Sequence, residues 1–395
     1  MPEVGDNREP LRLLGVYAHP DDETFCVGGT LAKYAATGAD IMVVSATQGE
    51  AGQIRDAHAA TRRTLGEVRA QEMQQACHRL GVQHVVCLDY GDGQLSHLDP
   101  PILVAKITEI MRAFRPDIVL SFGNDGAYGH PDHIAIGAVT DAAFGLAGNA
   151  DAFPEHRAMG WQPHAPSRLY HSFFPRHRGF LLQHLVRWLQ HLDTRFHGTP
   201  DFVRGLLILA EETCTLGYSS DSVRVQWYPP GVYIIEQGEP ATSLYLILSG
   251  HADVVREAPD GTLNKLNEIG PGTFFGEEGI ATQRPRNANI IARDSVSCMV
   301  LSPGEPTRFA GRGQEAQYGT HGDSSPLEPM AATTRIDVSD YVSQKISAIA
   351  AYRTQCPITP DLLPGVILRD MFAHEYFVRI YPGIEMETDL CPPGR

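Results

Sequence analysis

Apolar residues follow two periodicities over residues 11–122, and the two alternate. Short continuous runs stand at 11–18 (LRLLGVYA), 40–46 (DIMVVSA), 83–89 (QHVVCLD) and 117–122 (DIVLSF), with the length and content of buried strands. Between them, 28–38, 61–80 and 99–114 repeat their apolar positions at three and four, as one face of a helix does. Thr61 to Leu80 is the clearest of these, charged on one face and stopped by Gly81. Strands alternating with helices predict a parallel sheet with right-handed crossovers, a Rossmann-like α/β domain.

From about residue 214 the pattern changes. Residues 223–303 carry short, often β-branched runs (VYIIE, LYLILSG, ADVV, NIIA, VSCMVL) between turn signals such as Pro230-Gly231, Gly238, Gly250, Asp260-Gly261 and Pro271-Gly272. Strands of that length and spacing predict an all-β module of β-roll or jelly-roll type. Residues 305–330 are rich in Gly, Ser, Pro and charge, the composition of a flexible linker. Helical spacing returns at 338–355, before a short mixed tail.

Composition narrows the function classes. A chain of 395 residues with 43% hydrophobic and 20% charged content is an ordinary globular protein with room for two domains. A formal net charge of -15 argues against a nucleic-acid partner, which requires a basic surface. The polar first ten residues lack the apolar core of a secretory signal, and no segment approaches the roughly 18 apolar residues of a membrane span. Seven scattered cysteines without a CxxC pair point to reduced thiols and a cytoplasmic protein.

The candidate chemistry lies in two short runs, AHPDDE at 18–23 and YGHPDH at 128–133. In open α/β sheets ligands bind outside the carboxyl ends of the strands, and both runs fall there, after the first and fourth predicted strands. His19, Asp22 and His133 together offer two neutral nitrogens and one oxygen, the donor set of a catalytic zinc site with a position left open for water. The same set suits Fe(II). Asp21 adjoins Asp22 but points in another direction, which makes it the candidate general base. His130 is a candidate acid toward the leaving amine, and Asp132 a residue that orients or charges a histidine. Tyr128 is placed to donate its phenol to an oxyanion. Cys26 lies on the following helix and reads as core.

These runs, with TQGEAG (Thr47 to Gly52), Arg69 and Glu72, DYGDG (Asp89 to Gly93), PDIVLSFGNDGAYGHPDH and the later RIDVSDYVSQKISAIAAYRTQ (Arg335 to Gln355), resemble the PIG-L/LmbE-like deacetylase family. The resemblance covers about 1–213 and 331–395. It implies Zn-dependent hydrolysis of an N-acetyl or related N-acyl group, commonly on a glucosamine-containing compound. On it, His19, Asp22 and His133 are ligands, Asp21 the base, His130 the acid or electrostatic partner, Tyr128 the carbonyl-polarising group, and Asp92 a residue near the substrate. The late helix reads Tyr352-Arg353-Thr354-Gln355 where the family usually carries His-Arg-Ser-Gln, a departure that bears on the acyl or sugar contacts rather than on the metal.

In the β module, FGEEGIATQRPRNANI (Phe275 to Ile290) sets a Gly before a short helix and an Arg nearby, an arrangement that suits an anion. Together with YPPGVYIIEQGEPATSLYLILSG (Tyr228 to Gly250) it resembles the cyclic nucleotide-binding domain family over about 215–303. The resemblance implies that Gly276 opens the phosphate cassette, Glu277 takes the ribose, Arg286 the cyclic phosphate of cAMP or cGMP, and that Asn287 and Ala288 line the cassette. Asn287 stands where a small Ala or Ser often follows the Arg, Glu278 adds a second negative charge, and no base-capping helix is evident after Leu301.

The deacetylase pattern stops near 213 and resumes near 331, so the expected organisation is one α/β domain (1–213 and 331–395) interrupted by the β module at 214–304, with 305–330 as linker. The expected function is a zinc-dependent de-N-acetylase of an N-acylated sugar or sugar conjugate, regulated by a cyclic nucleotide. The competing class is a cyclic-nucleotide sensor or glycan-binding protein on a non-catalytic hydrolase scaffold. Retention of all three ligands with Asp21, His130 and Tyr128 favours the enzyme. A transcription factor is excluded because neither a helix-turn-helix after the β module nor a basic surface is present.

Overall fold

The computed structural model describes residues 10–56, 58–173, 223–302, 332–356, 365–383 and 386–390. The expected linker at 305–330 and the region in which a helix after Leu301 was sought lie outside the described residues. Described residues within Met1–Pro175, Ala316–Pro360 and Phe372–Arg395 form one compact unit; those within Arg176–Glu315 and Asp361–Met371 form a second.

In the first unit the predicted apolar runs become strands β1 (Arg12–Tyr17), β2 (Asp40–Thr47), β3 (His84–Tyr90) and β4 (Ile118–Phe122), joined by a further strand β5 (Arg168–Phe173). They lie in the order β3-β2-β1-β4-β5, and each adjacent pair is parallel. Leu13, Leu14, Val16, Ile41, Val43, Val44 and Ile118 to Leu120 are fully buried, as parallel strands covered on both faces require. The strand order reverses between β1 and β4. The loops after these two strands therefore splay apart and leave a crevice, the place where such sheets bind ligands.

The first unit's sheet is mixed, which the sequence reading did not anticipate. Two late strands, numbered β14 (Thr334–Asp337) and β15 (His374–Tyr381) because eight strands of the second unit intervene, extend it in the order β5-β15-β14, each antiparallel to its neighbour. Helix α1 (Asp22–Ala36) also starts earlier than its apolar spacing predicts. Its first turn, Asp22, Glu23 and Thr24, is polar yet buried, so hydrophobic periodicity cannot mark it. Helices α2 (Leu65–Arg79), α3 (Pro100–Phe114), the short α4 (Gly126–Gly129) and α5 (Pro131–Ala147) follow.

One buried ion pair ties the late elements to α1. Lys345, on the helix Val342–Ile349, donates from Nζ to Glu375 Oε1 of β15 (2.6 Å) and to Phe25 O of α1 (2.8 Å). Glu375 also accepts the amides of Gly29 (2.9 Å) and Thr30 (2.7 Å) on α1. Gly29 is required there, since a Cβ would stand 2.6 Å from Val338 Cγ2.

The second unit holds β6 (Val223–Tyr228), β7 (Tyr233–Ile235), β8 (Leu244–Ser249), β9 (Ala252–Glu257), β10 (Leu263–Ile269), β11 (Phe274–Phe275), β12 (Asn289–Ala292) and β13 (Val296–Leu301). They form two antiparallel sheets, β10-β9-β12-β7 and β11-β8-β13-β6. Ile235, Ile247, Phe275, Ile290, Val296, Cys298 and Val300 fill the core between them. This is the predicted all-β module. β10 escaped the sequence reading because it is largely exposed and lacks an apolar alternation. No helix of the described residues is long and apolar enough to cross a membrane.

Lys345→Met leaves Glu375 buried with a charge no longer countered, and such a loss costs about 3–5 kcal/mol. Urea unfolding monitored by far-ultraviolet circular dichroism is expected to show the first unit's transition at markedly lower denaturant. An unchanged midpoint would mean that the amides of Gly29 and Thr30 alone satisfy Glu375.

Candidate active site

The crevice is built from the loop after β1. Asp21, the residue before α1, has φ 111° and ψ −32°, a conformation that a residue with a Cβ rarely adopts. Its neighbours hold it there. Arg69 of α2 donates from Nη2 to Asp21 Oδ2 (2.8 Å) and to Pro20 O (2.6 Å), while the Asp21 amide donates to Glu23 Oε2 (3.1 Å). Arg69 is only 3% exposed, and its Nη1 bonds Gly49 O at 2.7 Å. Gly49, at φ 67°, has no Cβ to displace the guanidinium.

Three donor groups converge beside Asp21. His19 Nδ1 lies 3.2 Å from His133 Nε2 and 3.5 Å from Asp22 Oδ2, and His133 Nε2 lies 3.3 Å from Asp22 Oδ1. His133 is placed by α5, which approaches β4 closely because a Cβ at Gly137 would stand 2.6 Å from Phe122 O. Its ring stacks on Phe122 with centroids 4.0 Å apart. Its Nδ1 is 3.2 Å from Gly126 O, and because a carbonyl only accepts, Nδ1 carries the proton and Nε2 is free to bind. His19 is arranged in the opposite sense. Its Nε2 faces Asp92 Oδ1 (3.0 Å) and Asp132 Oδ2 (3.4 Å), which leaves Nδ1 toward the convergence point.

The two imidazole nitrogens and one carboxylate fit a zinc ion or a similar divalent cation by type, separation and ring orientation. His19, His130 and His133 also have ring nitrogens within 4.8 Å of one another, as do the donor atoms of His19, Asp92 and Asp132. Electrostatics follows the packing. Burial opposes protonation of His19, but hydrogen bonds to Asp132, Asp22 and Asp92 outweigh it and raise its pKa. Burial would raise Asp22 and Asp92, yet His133 and His19 hold Asp22 low, and His19 holds Asp92 low.

His130 caps α5, its Nδ1 accepting the Asp132 amide at 3.2 Å, so the neutral ring presents Nε2–H. Burial, then the charges of His133 and His19, push its pKa down to about 4. That environment favours His130 as a neutral hydrogen-bond donor over a standing imidazolium. Asp132 is fully buried and accepts the amides of Gly93 (2.7 Å) and Leu95 (3.1 Å) as well as facing His19. Tyr128 lies on α4, but its side chain is outside the described residues.

Glu23 was not singled out from the sequence, nor were the partners of Glu72, Thr354 and Gln355. Glu23 is fully buried, which raises its pKa, and accepts the hydroxyls of Thr24 and Tyr352, each at 2.5 Å. Thr354 donates to Glu72 through its amide (2.9 Å) and hydroxyl (2.5 Å), and Gln355 Nε2 donates to Gln53 O (2.9 Å). The Tyr-Arg-Thr-Gln stretch thus closes on α1, on α2 and on the loop after β2. A signal existed: Arg69 and Glu72 share the helical face of buried Leu65, Met73 and Ala76, where charge needs a partner.

In the second unit Gly276, at φ 89°, leads into the short helix Glu277–Thr282. Arg286 is buried beneath it, donating from Nη1 to Gly276 O and from Nη2 to Ser243 O, each at 2.7 Å. Its guanidinium lies 5.9 Å from the centroid of Tyr245, which stacks on Phe275. Each terminal nitrogen carries a second N–H. Glu277 is partly exposed, Ala288 is buried, and Asn287 Nδ2 donates to Glu278 Oε2 at 2.5 Å.

Comparison with known proteins agrees with this division. Residues 14–144 match the family model described as GlcNAc-PI de-N-acetylase, and residues 225–310 match that of the cyclic nucleotide-binding domain. The chain is 38% identical over 172 residues to a 1D-myo-inositol 2-acetamido-2-deoxy-alpha-D-glucopyranoside deacetylase of Thermobifida fusca, a match covering 38% of this chain and 59% of that protein. It is 40% identical over 170 residues to the protein of the same name from Rhodococcus jostii, covering 35% of this chain and 55% of the relative. The chain thus spans little more than half the length of these relatives. Among solved structures, N,N'-diacetylchitobiose deacetylase from Pyrococcus horikoshii aligns at 24% identity and TM-score 0.38, covering 42% of this chain and 61% of that one. The cAMP-bound regulatory domain of Toxoplasma gondii PKA aligns at 26% identity and TM-score 0.22, covering 26% and 40%. Two domain types therefore share this chain, a PIG-L-type deacetylase domain and a cyclic nucleotide-binding domain.

Proposed function

We propose that the first unit is a zinc-dependent de-N-acetylase of a 2-acetamido sugar or sugar conjugate, with the cyclic nucleotide-binding domain as its regulator. The observation that carries this reading is the convergence of His19 Nδ1, Asp22 and His133 Nε2 within 3.5 Å of one another, beside a carboxylate held in a strained position. The names of the two relatives support the substrate class.

Zinc held by His19, Asp22 and His133 would supply a Lewis acid and a water of lowered pKa; Fe(II) suits the same donors. Asp21 takes the proton of the attacking water as its oxygen adds to the acyl carbon. His130 offers Nε2–H to the reacting carbonyl or amide, and Tyr128 is assigned the carbonyl-polarising role by resemblance. The C–N bond then breaks, the proton held by Asp21 passes to the departing nitrogen, and the amine leaves with the acyl acid, which gives its remaining proton to solvent and becomes a carboxylate. Asp132 keeps the 91–95 loop and His19 in place. On this reading the α/β domain runs over 1–213 and 331–395, the β domain over 214–304 and the linker over 305–330, bounds drawn from the resemblance and wider for the α/β domain than its compact unit. In the β domain, Gly276, Glu277, Arg286, Asn287 and Ala288 form the nucleotide cassette for cAMP or cGMP. Regulation requires the nucleotide to bind one conformation of the enzyme better than another. Cys26, Cys77, Cys87, Cys298 and Cys356 are free thiols, which supports a cytoplasmic setting.

The first test is metal content. His19→Ala or His133→Ala is expected to reduce zinc retained after gel filtration to background by elemental analysis, whereas Asp21→Ala retains it. Asp21→Ala is expected to lose about 10²–10⁴-fold in release of free amine from N-acetylglucosaminyl substrates; full turnover would remove Asp21 as the base. The second test titrates cAMP and cGMP against binding and turnover. Arg286→Ala is expected to abolish nucleotide binding, and unchanged kinetics in a nucleotide-saturated wild type would end the regulatory reading.

A further inference from the structure

Asp92 enters the site in a way that the hydrolysis just described does not use. Its Oδ1 is 3.0 Å from His19 Nε2, its Oδ2 accepts the Ala51 amide at 2.9 Å, and its own amide donates to Glu50 Oε1 at 2.9 Å. Both carboxylate oxygens and the backbone N–H are therefore engaged with protein groups. Asp132 stands behind the same imidazole nitrogen at 3.4 Å, and its oxygens hold the amides of Gly93 and Leu95, which flank the segment carrying Asp92. One ring N–H thus faces two carboxylates, and one of these carboxylates fixes the loop that delivers the other.

We propose that Asp92 and Asp132 form a two-carboxylate clamp that positions His19 for metal binding, with Asp92 as the member in direct hydrogen-bond contact. The proposal rests on the metal-site reading above. A carboxylate has no proton to give, so Nε2 must be the donor and Nδ1 the lone pair turned toward Asp22 and His133. Partners of this kind fix the tautomer and ring orientation of a ligating histidine and make its other nitrogen a better donor. The clamp also joins three loops, those after β2, after β3 and at the start of α5, so the ring is fixed by a framework instead of by one side chain. The far nitrogen of His133 meets the neutral carbonyl of Gly126 at 3.2 Å.

A carboxamide cannot replace Asp92. With its oxygen toward His19, the NH₂ of an Asn would face the Ala51 amide; in the reversed orientation it would face His19 Nε2–H. Either way two donors oppose. The test is a zinc competition titration against a chromophoric chelator, on the full chain and without substrate. Asp92→Ala and Asp92→Asn are expected to raise the zinc dissociation constant about 10–100-fold. Asp132→Asn is expected to raise it too, with a lowered melting temperature because the amide of Gly93 or that of Leu95 would then face an NH₂ instead of an acceptor oxygen. Circular dichroism of the metal-free Asp92 variants should match the wild type; if either proves unfolded, Asp92→Glu, which keeps the charge but moves it, replaces it and is expected to weaken zinc as well. Wild-type zinc affinity in a folded Asp92→Ala protein, with any defect confined to KM for the sugar, would overturn the clamp. If the wild type binds zinc but cleaves no amide, the hydrolase reading fails while the titration still decides the clamp.

Discussion

Three carboxylates gathered around two imidazoles form the constraint on which the first unit depends. Asp22, Asp92 and Asp132 are largely or wholly withdrawn from water, and each meets His19 or His133 within 3.5 Å. Removing one ion from water costs several kcal/mol after relaxation, so three such groups persist only where cationic charge and N–H donors surround them. The protein supplies the N–H groups from the backbone at His19, Ala51, Gly93 and Leu95. The remaining requirement is positive charge at the point where Asp22, His19 Nδ1 and His133 Nε2 meet, and a divalent cation answers it in the reading proposed here.

The same economy of partners explains Asp21. A residue with a Cβ at φ 111° carries strain of about 1–3 kcal/mol, which persists only if its surroundings over-determine it. Arg69 and Glu23 do so from opposite sides, and Glu23 is in turn held by Tyr352. Tyr352, Lys345 and Glu375 all follow the β strands of the second unit in sequence, yet each acts on α1 or its first turn. The helix that begins with Asp22 is therefore completed by chain on both sides of the β domain. A residue order that looks like an interruption is, within the first unit, a dependence.

How far this was legible follows from what each residue answers to. The central strands could be read because parallel strands buried on both faces are continuous in apolar residues, and the two motifs could be placed because strand ends are where a sheet of this kind binds. The start of α1 was hidden because Asp22, Glu23 and Thr24 are buried for polar partners. β14 and β15 were hidden because their partners are remote in sequence and because the buried Glu375 looks like a surface residue until Lys345 is seen beside it. The direction of Asp92 could not be read at all. A loop aspartate near a substrate and one clamped to His19 have the same sequence, and only the joint between the loops distinguishes them.

The two domain types satisfy their charged groups in different currencies, and this bears on how one could act on the other. At the proposed metal site, charge meets charge, and an exchange of partners would be costly. In the proposed cassette, Arg286 donates to the backbone carbonyls of Gly276 and Ser243 beside the Tyr245 ring, and a phosphate would offer it a charge-assisted partner. A ligand that draws the guanidinium toward itself works against its bond to Ser243, whose hydroxyl is 2.7 Å from that of Ser302 just after β13. A ligand at Arg286 would therefore bear on Ser243 and its partner Ser302. The proposed regulation then requires the nucleotide to prefer one conformation of the enzyme over another. A ligand without that preference would bind and change nothing, however tightly it was held.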